Sequence, residues 1–334
     1  MNKNLILANK LIDWFYQNAR TMPWRTIGGA HKNAYEVWIS EIMLQQTTVK
    51  TVESYFPKWM QRFKDVETLA NADIEDVLLC WQGLGYYTRA RKIHECAKVL
   101  IEKYGGELPK SREALLKLPG IGPYSASSIM SFAFNMPETV VDGNVIRVVA
   151  RLYGIETPVT KEEIFKLATP LTHMEKPADY ASAIMDLGAT VCMAQNPKCL
   201  LCPWREDCIA FQKKLTDKIP LIKKPEKKQV EGFVYLIKND KGEYFIQKRQ
   251  EKGLLHGLYE FLWTRELTPL FDDMGESKNE TVSHTFTHFH LTLHVIHLNK
   301  NKAPNKEGIF VHPKNFGKYP FSTLMKKIIK LLPD

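Results

Sequence analysis

The chain has 334 residues, of which 44% are hydrophobic and 25% charged, so it can bury ordinary cores and is not expected to be disordered throughout. Lysine and arginine outnumber aspartate and glutamate by 46 to 37, a net charge of +9 that favours nucleic acid as a partner over a membrane surface. The apolar run at 5–8 is too short for a signal peptide, and no run approaches the ~20 residues of a membrane span. We therefore expect a cytoplasmic protein whose six cysteines form no structural disulfides.

The first part of the chain has a helical pattern. Apolar residues recur at helical spacing, as at Leu7, Leu11 and Phe15. Proline and glycine at 118–123, and Pro137, divide this region into short helices. The sequence predicts an all-α domain over 1–211 with several helix–turn–helix connections.

The character changes in a basic stretch that we interpret as a linker over 212–229, either a solvated tether or a segment lying along phosphates. Its lysines crowd around two prolines: Lys213, Lys214, Lys218, Lys223, Lys224, Lys227 and Lys228 around Pro220 and Pro225. Beyond it, apolar runs at 233–237 and 244–248 flank a turn signal at 239–242 and predict a hairpin. A strand over 285–298 and a closing helix over 321–332 complete a predicted α+β domain at 230–334.

Four cysteines are spaced Cys192-x6-Cys199-x2-Cys202-x5-Cys208, within the range 192–208. Four thiolates so close in sequence can converge on one metal centre, and soft sulfur ligands suit either zinc or an iron–sulfur cluster. The spacing by itself leaves both open, although zinc ribbons usually repeat a C-x2-C pair.

A second motif combines a turn with a later carboxylate. Gly120 and Gly122 make a tight turn whose backbone N–H groups can face a phosphate at a helix N-terminus. Asp142 follows at a distance that fits one intervening helix, so its carboxylate can face the same DNA strand.

These motifs, in this order, resemble the helix-hairpin-helix, iron–sulfur DNA glycosylase superfamily. The segments 38–47, 83–89, 253–261 and 284–290 resemble its adenine DNA glycosylase branch, the MutY type, and the likeness covers nearly the whole chain. The resemblance implies a base-excision-repair hydrolase that flips adenine out of a mispair with 8-oxoguanine or guanine in double-stranded DNA. It also implies a 4Fe–4S cluster on the four cysteines, and we expect a monomer associated with the nucleoid.

The resemblance also assigns catalytic roles. Glu41 matches a general acid that protonates the departing adenine, and Asp142 matches an ionised carboxylate that stabilises the cationic sugar. Tyr124 and Asn144 would position Asp142 and the sugar. Tyr124 stands where lyase-competent relatives have a nucleophilic lysine, so we expect a monofunctional enzyme.

Contacts with DNA are implied at further positions. Gln46 and Tyr86 match residues that wedge into the duplex beside the opposing base. Asp186 falls where the family has a glutamate that contacts adenine, and residues near Arg25 often help to enclose the base. The segment 26–32 is longer than usual at that point, which leaves the placement of Arg25 open.

The second domain resembles a Nudix fold without the Arg-Glu-x-x-Glu-Glu set that binds magnesium, so pyrophosphate hydrolysis is disfavoured. The resemblance assigns 8-oxoguanine recognition to Phe286, Thr287 and His288, with threonine in place of the more usual serine. Two alternatives stay open: a pyrimidine-lesion glycosylase-lyase like endonuclease III, and a DNA-binding module without catalytic activity.

Overall fold

A computed structural model describes residues 2–31, 33–221, 226–268, 276–304 and 306–332. By its internal contacts the chain divides into two compact units, each made of two stretches. The first unit is Met1–Asn71 with Glu95–Lys223, and the second unit is Ala72–His94 with Lys224–Asp334. The predicted domain limits stay predictions, and Lys223, Lys224 and Pro225 of the predicted linker lie outside the described residues.

Described residues up to 221 form helices and no strand, as the sequence predicted. Twelve α-helices lie there: α1 Lys3–Asn18, α2 Ala34–Leu44, α3 Val49–Arg62, α4 Val66–Ala70, α5 Ile74–Cys80, α6 Thr88–Tyr104, α7 Arg112–Leu116, α8 Pro123–Phe134, α9 Gly143–Leu152, α10 Lys161–Ala168, α11 Pro177–Thr190 and α12 Ile209–Gln212. None of the described helices is long and apolar enough to cross a bilayer.

The core of the first unit forms because amphipathic helices turn their apolar faces to one another. Leu11 and Phe15 of α1 belong to the same buried cluster as Val149 of α9 and Leu187 of α11. Asn33 caps α2 by accepting from the backbone N–H groups of Tyr35 and Glu36, and Asp142 caps α9 by accepting from the backbone N–H of Val145. The first residues of α9 and the second half of α2 line the candidate site.

The second unit contains a seven-stranded sheet. Its strands are β1 Lys228–Lys238, β2 Tyr244–Lys248, β3 Tyr259–Glu260, β4 Trp263–Thr264, β5 Glu276–Thr285, β6 Phe289–Asn299 and β7 Ile309–Val311, followed by α13 Thr323–Ile329. The order is β3-β2-β1-β6-β5, with β4 paired to β1 and β7 to β2. Strands β1 and β6 run parallel, in register from Lys228↔Phe289 to Lys238↔Asn299.

Both faces of β1 are buried, which explains its continuous apolar run. Val234 and Leu236 join the cluster that includes α13, while Tyr235 and Ile237 join a second cluster on the alternate face. The predicted hairpin is confirmed, since β1 and β2 pair antiparallel with Lys238 opposite Tyr244.

Two predicted boundaries are wrong. The strand predicted over 285–298 begins only at Phe289, because Phe286 N–H donates to the Phe289 carbonyl and closes a turn between β5 and β6. The closing helix predicted over 321–332 is confined to α13, because Ser322 caps it by accepting from Met325 N–H.

Candidate active site

The first unit contains a cavity of about 740 Å³ that collects most of the predicted site. Its lining includes Glu41 from the last turn of α2 and Tyr124 from the first turn of α8. The predicted residues that share this cavity are Arg25, Glu41, Gln46, Gly120, Gly122, Tyr124, Asp142 and Asn144.

Glu41 is only 7% exposed, and Trp38, Ile39 and Ile42 of the same helix are buried as well. Burial raises the pKa of the Glu41 carboxyl to about 7, and the charge of Asp142 adds to the rise. The hydroxyls of Ser128 and Tyr124 and the guanidinium of Arg25 oppose it. A carboxyl with this pKa can hold a proton near neutral pH and release it to a leaving group.

This pKa makes the stability of the protein depend on pH. A rise from 4.5 to about 7 corresponds to about 3 kcal/mol at about 1.4 kcal/mol per pKa unit. The folded state binds the proton more tightly than the unfolded state. The contribution of protonated Glu41 is therefore complete below the unfolded pKa and is lost as the pH rises through about 7.

Glu41→Gln is neutral at every pH, so we expect it to be more stable than the wild type at about pH 8.5 and to approach it at about pH 5. Thermal unfolding of both proteins at the two pH values measures the difference. An equal difference in midpoint at both values would contradict the raised pKa.

Asp142 has a different environment. It is the N-cap of α9, and its carboxylate accepts from Val145 N–H at 2.8 Å and from Asn144 Nδ2 at 2.9 Å. Both oxygens of this carboxylate are therefore held by donors from the start of α9. A buried carboxyl with a raised pKa and a carboxylate that accepts two hydrogen bonds therefore line one cavity.

Tyr124 lies between these carboxyls. Its hydroxyl donates to Glu41 Oε2 at 3.4 Å. Burial, together with the charges of Glu41 and Asp142, raises the pKa of the Tyr124 phenol well above its usual value. Tyr124 therefore stays a neutral donor.

Arg147 orients Asn144. Its guanidinium donates to Asn144 Oδ1 at 2.7 Å, to the Gly188 carbonyl at 2.6 Å and to the Cys192 carbonyl at 2.7 Å. The amide of Asn144 is thereby directed so that its nitrogen faces Asp142. The sequence did not single out Arg147, because an arginine on a helix is usually a solvated side chain.

Asp186 lies behind the cavity and is not part of its lining. Its side chain is fully buried, and it accepts from Arg20 Nη2 at 2.6 Å and from Arg25 Nη1 at 2.7 Å. Both arginines line the cavity. Asp186 thus holds Arg25, whose placement the sequence left open, and Arg20, which the sequence did not single out.

The glycine turn precedes α8. Gly120 has φ 78°, in the left-handed region that favours glycine. Gly122 is the N-cap of α8 and has no side chain, so no side chain of the N-cap residue accepts from the first N–H groups of this helix. Gly122, Pro123 and Tyr124 line the cavity. Gln46, at φ 60°, projects from the exposed turn after α2.

The residues predicted to contact the opposing base meet in the second unit. A cavity of about 330 Å³ is lined by Tyr86, Phe286, Thr287 and His288. The Tyr86 hydroxyl and Thr287 Oγ1 share a hydrogen bond of 2.7 Å. Phe286 packs edge-on against His284, with ring centroids 4.7 Å apart.

The four cysteines lie on a loop between α11 and α12 that contains two short 3-10 turns, Cys199–Leu201 and Arg205–Asp207. Arg151 Nη1 donates to Cys192 Sγ at 3.3 Å. The pKa of the Cys202 thiol is raised to about 12, mainly by burial and in part by the charge of Cys192. Thiols of this kind ionise when a metal centre binds them.

Among the described residues no three metal-binding side chains form a ready-made ligand set. Four thiols nevertheless lie within one loop, and the guanidinium of Arg151 faces one of them, Cys192. The donor chemistry of this loop fits an iron–sulfur cluster, which thiolates hold.

Cys199→Ser is expected to reduce the absorbance near ~400 nm and to lower the folding yield or the DNA affinity. Cys80→Ser, outside the loop, is the matched control and should keep the colour of the wild type. Unchanged absorbance, stability and DNA affinity in Cys199→Ser would remove that cysteine from the cluster.

The fold and these sites define a helix-hairpin-helix DNA glycosylase that carries an iron–sulfur loop. Residues 39–172 match the model of the HhH-GPD superfamily base excision DNA repair proteins. Residues 192–208 match the iron–sulfur binding domain of endonuclease III, and residues 233–331 match the NUDIX domain.

A thermostable thymine-DNA glycosylase structure is 28% identical, with a TM-score of 0.58 over 63% of this chain and 97% of that chain. Endonuclease III in a non-covalent DNA complex is 25% identical, with a TM-score of 0.54 over 64% of this chain and 99% of that chain.

The chain is also similar to proteins named adenine DNA glycosylase. One from Buchnera aphidicola (strain Bp) is 38% identical over 269 residues, covering 77% of this chain and 73% of the relative. One from Buchnera aphidicola (strain Sg) is 32% identical and covers 98% of both chains. The human relative is 41% identical over 61% of this chain and 39% of its own length.

This chain belongs to the adenine DNA glycosylase family. It is a base-excision-repair enzyme, a hydrolase of N-glycosyl bonds that binds DNA and carries a 4Fe–4S cluster. These findings confirm the predicted fold class, activity class and cofactor. The roles predicted for individual residues stay predictions.

Proposed function

We propose that this enzyme removes adenine mispaired with 8-oxoguanine or guanine in double-stranded DNA. The observation that supports the proposal best is the pairing of Glu41 and Asp142 in one cavity. Burial raises the pKa of the Glu41 carboxyl to about 7, whereas the Asp142 carboxylate accepts hydrogen bonds from Asn144 and Val145. Hydrolysis of a base–sugar bond needs both kinds of carboxyl.

The reaction begins with adenine outside the helical stack, because the enzyme cannot reach the reacting atoms of a base that is stacked and paired in the duplex. Glu41 donates its proton to the imidazole nitrogen of adenine, and the base–sugar bond breaks. Asp142 stabilises the positive charge on the sugar, with Asn144 and Tyr124 holding it in position. Water then adds to the sugar, and Glu41 takes up a proton.

DNA contacts surround this cavity. Gly120 and Gly122 receive a phosphate at the N-terminus of α8, where backbone N–H groups and the helix dipole favour an anion. Gln46 enters the duplex beside the base opposite the displaced adenine. Arg25, held by Asp186, encloses the adenine.

The second unit recognises the opposing base. Phe286, Thr287 and His288 contact 8-oxoguanine from the turn between β5 and β6, and Tyr86 wedges into the duplex beside it. The hydroxyl of Thr287 supplies the polar contact. We further propose that the helical domain ends at 211 and the second domain begins after 229. The enzyme is a monomer that acts on the nucleoid in the cytoplasm.

The enzyme is monofunctional. Tyr124 occupies the position at which a lysine amine would attack the sugar, and a neutral phenol forms no Schiff base. Borohydride trapping on abasic DNA should therefore yield no covalent complex. Efficient trapping together with strand cleavage would favour the glycosylase-lyase alternative.

The decisive experiment is single-turnover base release from duplexes that carry adenine opposite 8-oxoguanine, guanine or thymine. Release opposite 8-oxoguanine and guanine, and little opposite thymine, is the expected result. Release of an oxidised pyrimidine and of no adenine would favour an enzyme like endonuclease III. Binding without release of any base would leave a DNA-binding module.

A further inference from the structure

Asp179 is a buried carboxylate that the proposed chemistry does not use. It lies in the first turn of α11 and is 3% exposed. The N–H groups of Gly28 and Gly29 both donate to its Oδ1, at 3.1 and 3.2 Å. The Tyr16 hydroxyl donates to Oδ2 at 2.8 Å. Both carboxylate oxygens are thus bound to other segments of the first unit.

The turn at Gly28 and Gly29 depends on glycine. Their φ angles are 87° and 137°, which side chains rarely adopt. A Cβ at either position would meet no atom within 4 Å. The requirement is therefore conformational, because only this backbone turns two successive N–H groups toward one oxygen.

Two carboxylates of helix α11 bind the segment 20–29 that follows α1. Asp179 and Asp186 are seven residues apart, about two helical turns, so they share one face of α11. Asp186 holds Arg20 and Arg25, whereas Asp179 holds Gly28 and Gly29. Ser182, between the two carboxylates in sequence, lines the catalytic cavity.

The segment that follows Arg25 forms part of the cavity wall. Thr26, Gly29 and His31 line the cavity. The N–H of His31 donates to the Phe132 carbonyl of α8 at 2.8 Å, so the C-terminal end of the segment is bound to α8. Asp179 is therefore the anchor between Arg25 and His31.

We propose that Asp179 is a positioning residue for the extruded purine base, because it fixes segment 26–31 as a wall of the catalytic cavity. This inference rests on the proposed function, which makes the cavity the adenine site. A fixed wall keeps water from the base and limits its movement relative to Glu41. The effect belongs to the chemical step, after DNA has bound.

The test compares Asp179→Ala with Asp179→Asn in single-turnover adenine release opposite 8-oxoguanine. Asp179→Ala should lower the rate constant about tenfold, because misplacement far from the reacting atoms lowers the rate of the chemical step. Its affinity for a duplex carrying non-hydrolysable 2′-fluoroadenosine should stay within about twofold. Asp179→Asn should retain the wild-type rate, since its amide oxygen still accepts from both glycines and its amide nitrogen can donate to the Tyr16 oxygen.

Hydrogen exchange reports on the segment itself. Backbone N–H groups of 26–31 should exchange faster in Asp179→Ala than in the wild type, with helix α9 unchanged. Gly29→Ala disturbs segment 26–31 without changing any residue of α11. It therefore tests the proposal even where Asp179→Ala does not fold. It should also lower the rate about tenfold, because the required φ is strained for alanine.

The two proposals fail separately. The role of Asp179 alone would be overturned if the wild type released adenine and Asp179→Ala released it at the same rate. Where Asp179→Ala does not fold, an unchanged rate in Gly29→Ala would have the same consequence. Equal losses in Asp179→Ala and Asp179→Asn would also overturn it, since the asparagine preserves the turn. Failure of the wild type to release adenine from any duplex would overturn the proposed function and this inference with it.

Discussion

Glu41→Gln is expected to lower the rate of adenine release about 10³-fold while leaving DNA affinity close to that of the wild type. Glutamine matches the glutamate in shape and can still accept from the Tyr124 hydroxyl, but it has no proton to give to the departing base. Single-turnover release opposite 8-oxoguanine, together with binding to a duplex carrying the 2′-fluoro analogue, separates chemistry from affinity.

Glu53→Gln is the matched control, because Glu53 lies on the exposed face of α3 and does not line the cavity. It should release adenine at the wild-type rate. A Glu41→Gln variant that retained more than about a tenth of the wild-type rate would exclude Glu41 as the main proton donor.

The pH profile adds an independent constraint. Because the pKa of Glu41 is raised to about 7, the protonated acid should be lost as the pH rises through that value. The wild-type rate should then fall above about pH 7. The residual rate of Glu41→Gln should show no such fall.

Asp142→Asn is expected to lower the rate of adenine release about 10²- to 10³-fold with little loss of stability. The expected loss arises because a neutral amide cannot stabilise the positive charge on the sugar. Stability should persist because asparagine caps helices about as well as aspartate and can accept from Val145 N–H in the same manner. Thermal unfolding and single-turnover release measure the two effects separately.

Asp142→Ala serves as the comparison, since it removes both the charge and the cap. It should lose activity and, in addition, about 1 kcal/mol of stability from the uncapped helix α9. If Asp142→Asn kept the wild-type rate, Asp142 would act only as a helix cap, and the cation stabiliser would have to be sought elsewhere.

Local sequence patterns predicted several features correctly, because the physical cause of each lies within a few residues. Glycines at 120 and 122 mark a turn before a helix, and Pro123 is compatible with the first helical position. The turn signal at 239–242 lies between the strands it joins. Four cysteines within 192–208 point to one metal centre.

Glu41 illustrates the limit of such patterns. A glutamate on a helix is usually solvated, and only the resemblance of its surrounding segment to a family pointed to a catalytic role. Its raised pKa depends on burial by neighbours from other helices and on the charge of Asp142, about a hundred positions along the chain. Neither cause is visible in the residues next to Glu41.

The helical and α+β regions could be predicted from periodicity, which is a local property of the sequence. The glycosylase family and the iron–sulfur cluster were predicted from the resemblance of several motifs to that family, and the comparisons confirm both. The folded structure was needed to identify the partners of the buried carboxylates Asp179 and Asp186. It joins Arg20 and Arg25 to Asp186, and Gly28 and Gly29 to Asp179, across more than a hundred residues of chain. Buried ion pairs and hydrogen bonds of this kind form between segments that meet only when the chain has folded, so no local pattern predicts them.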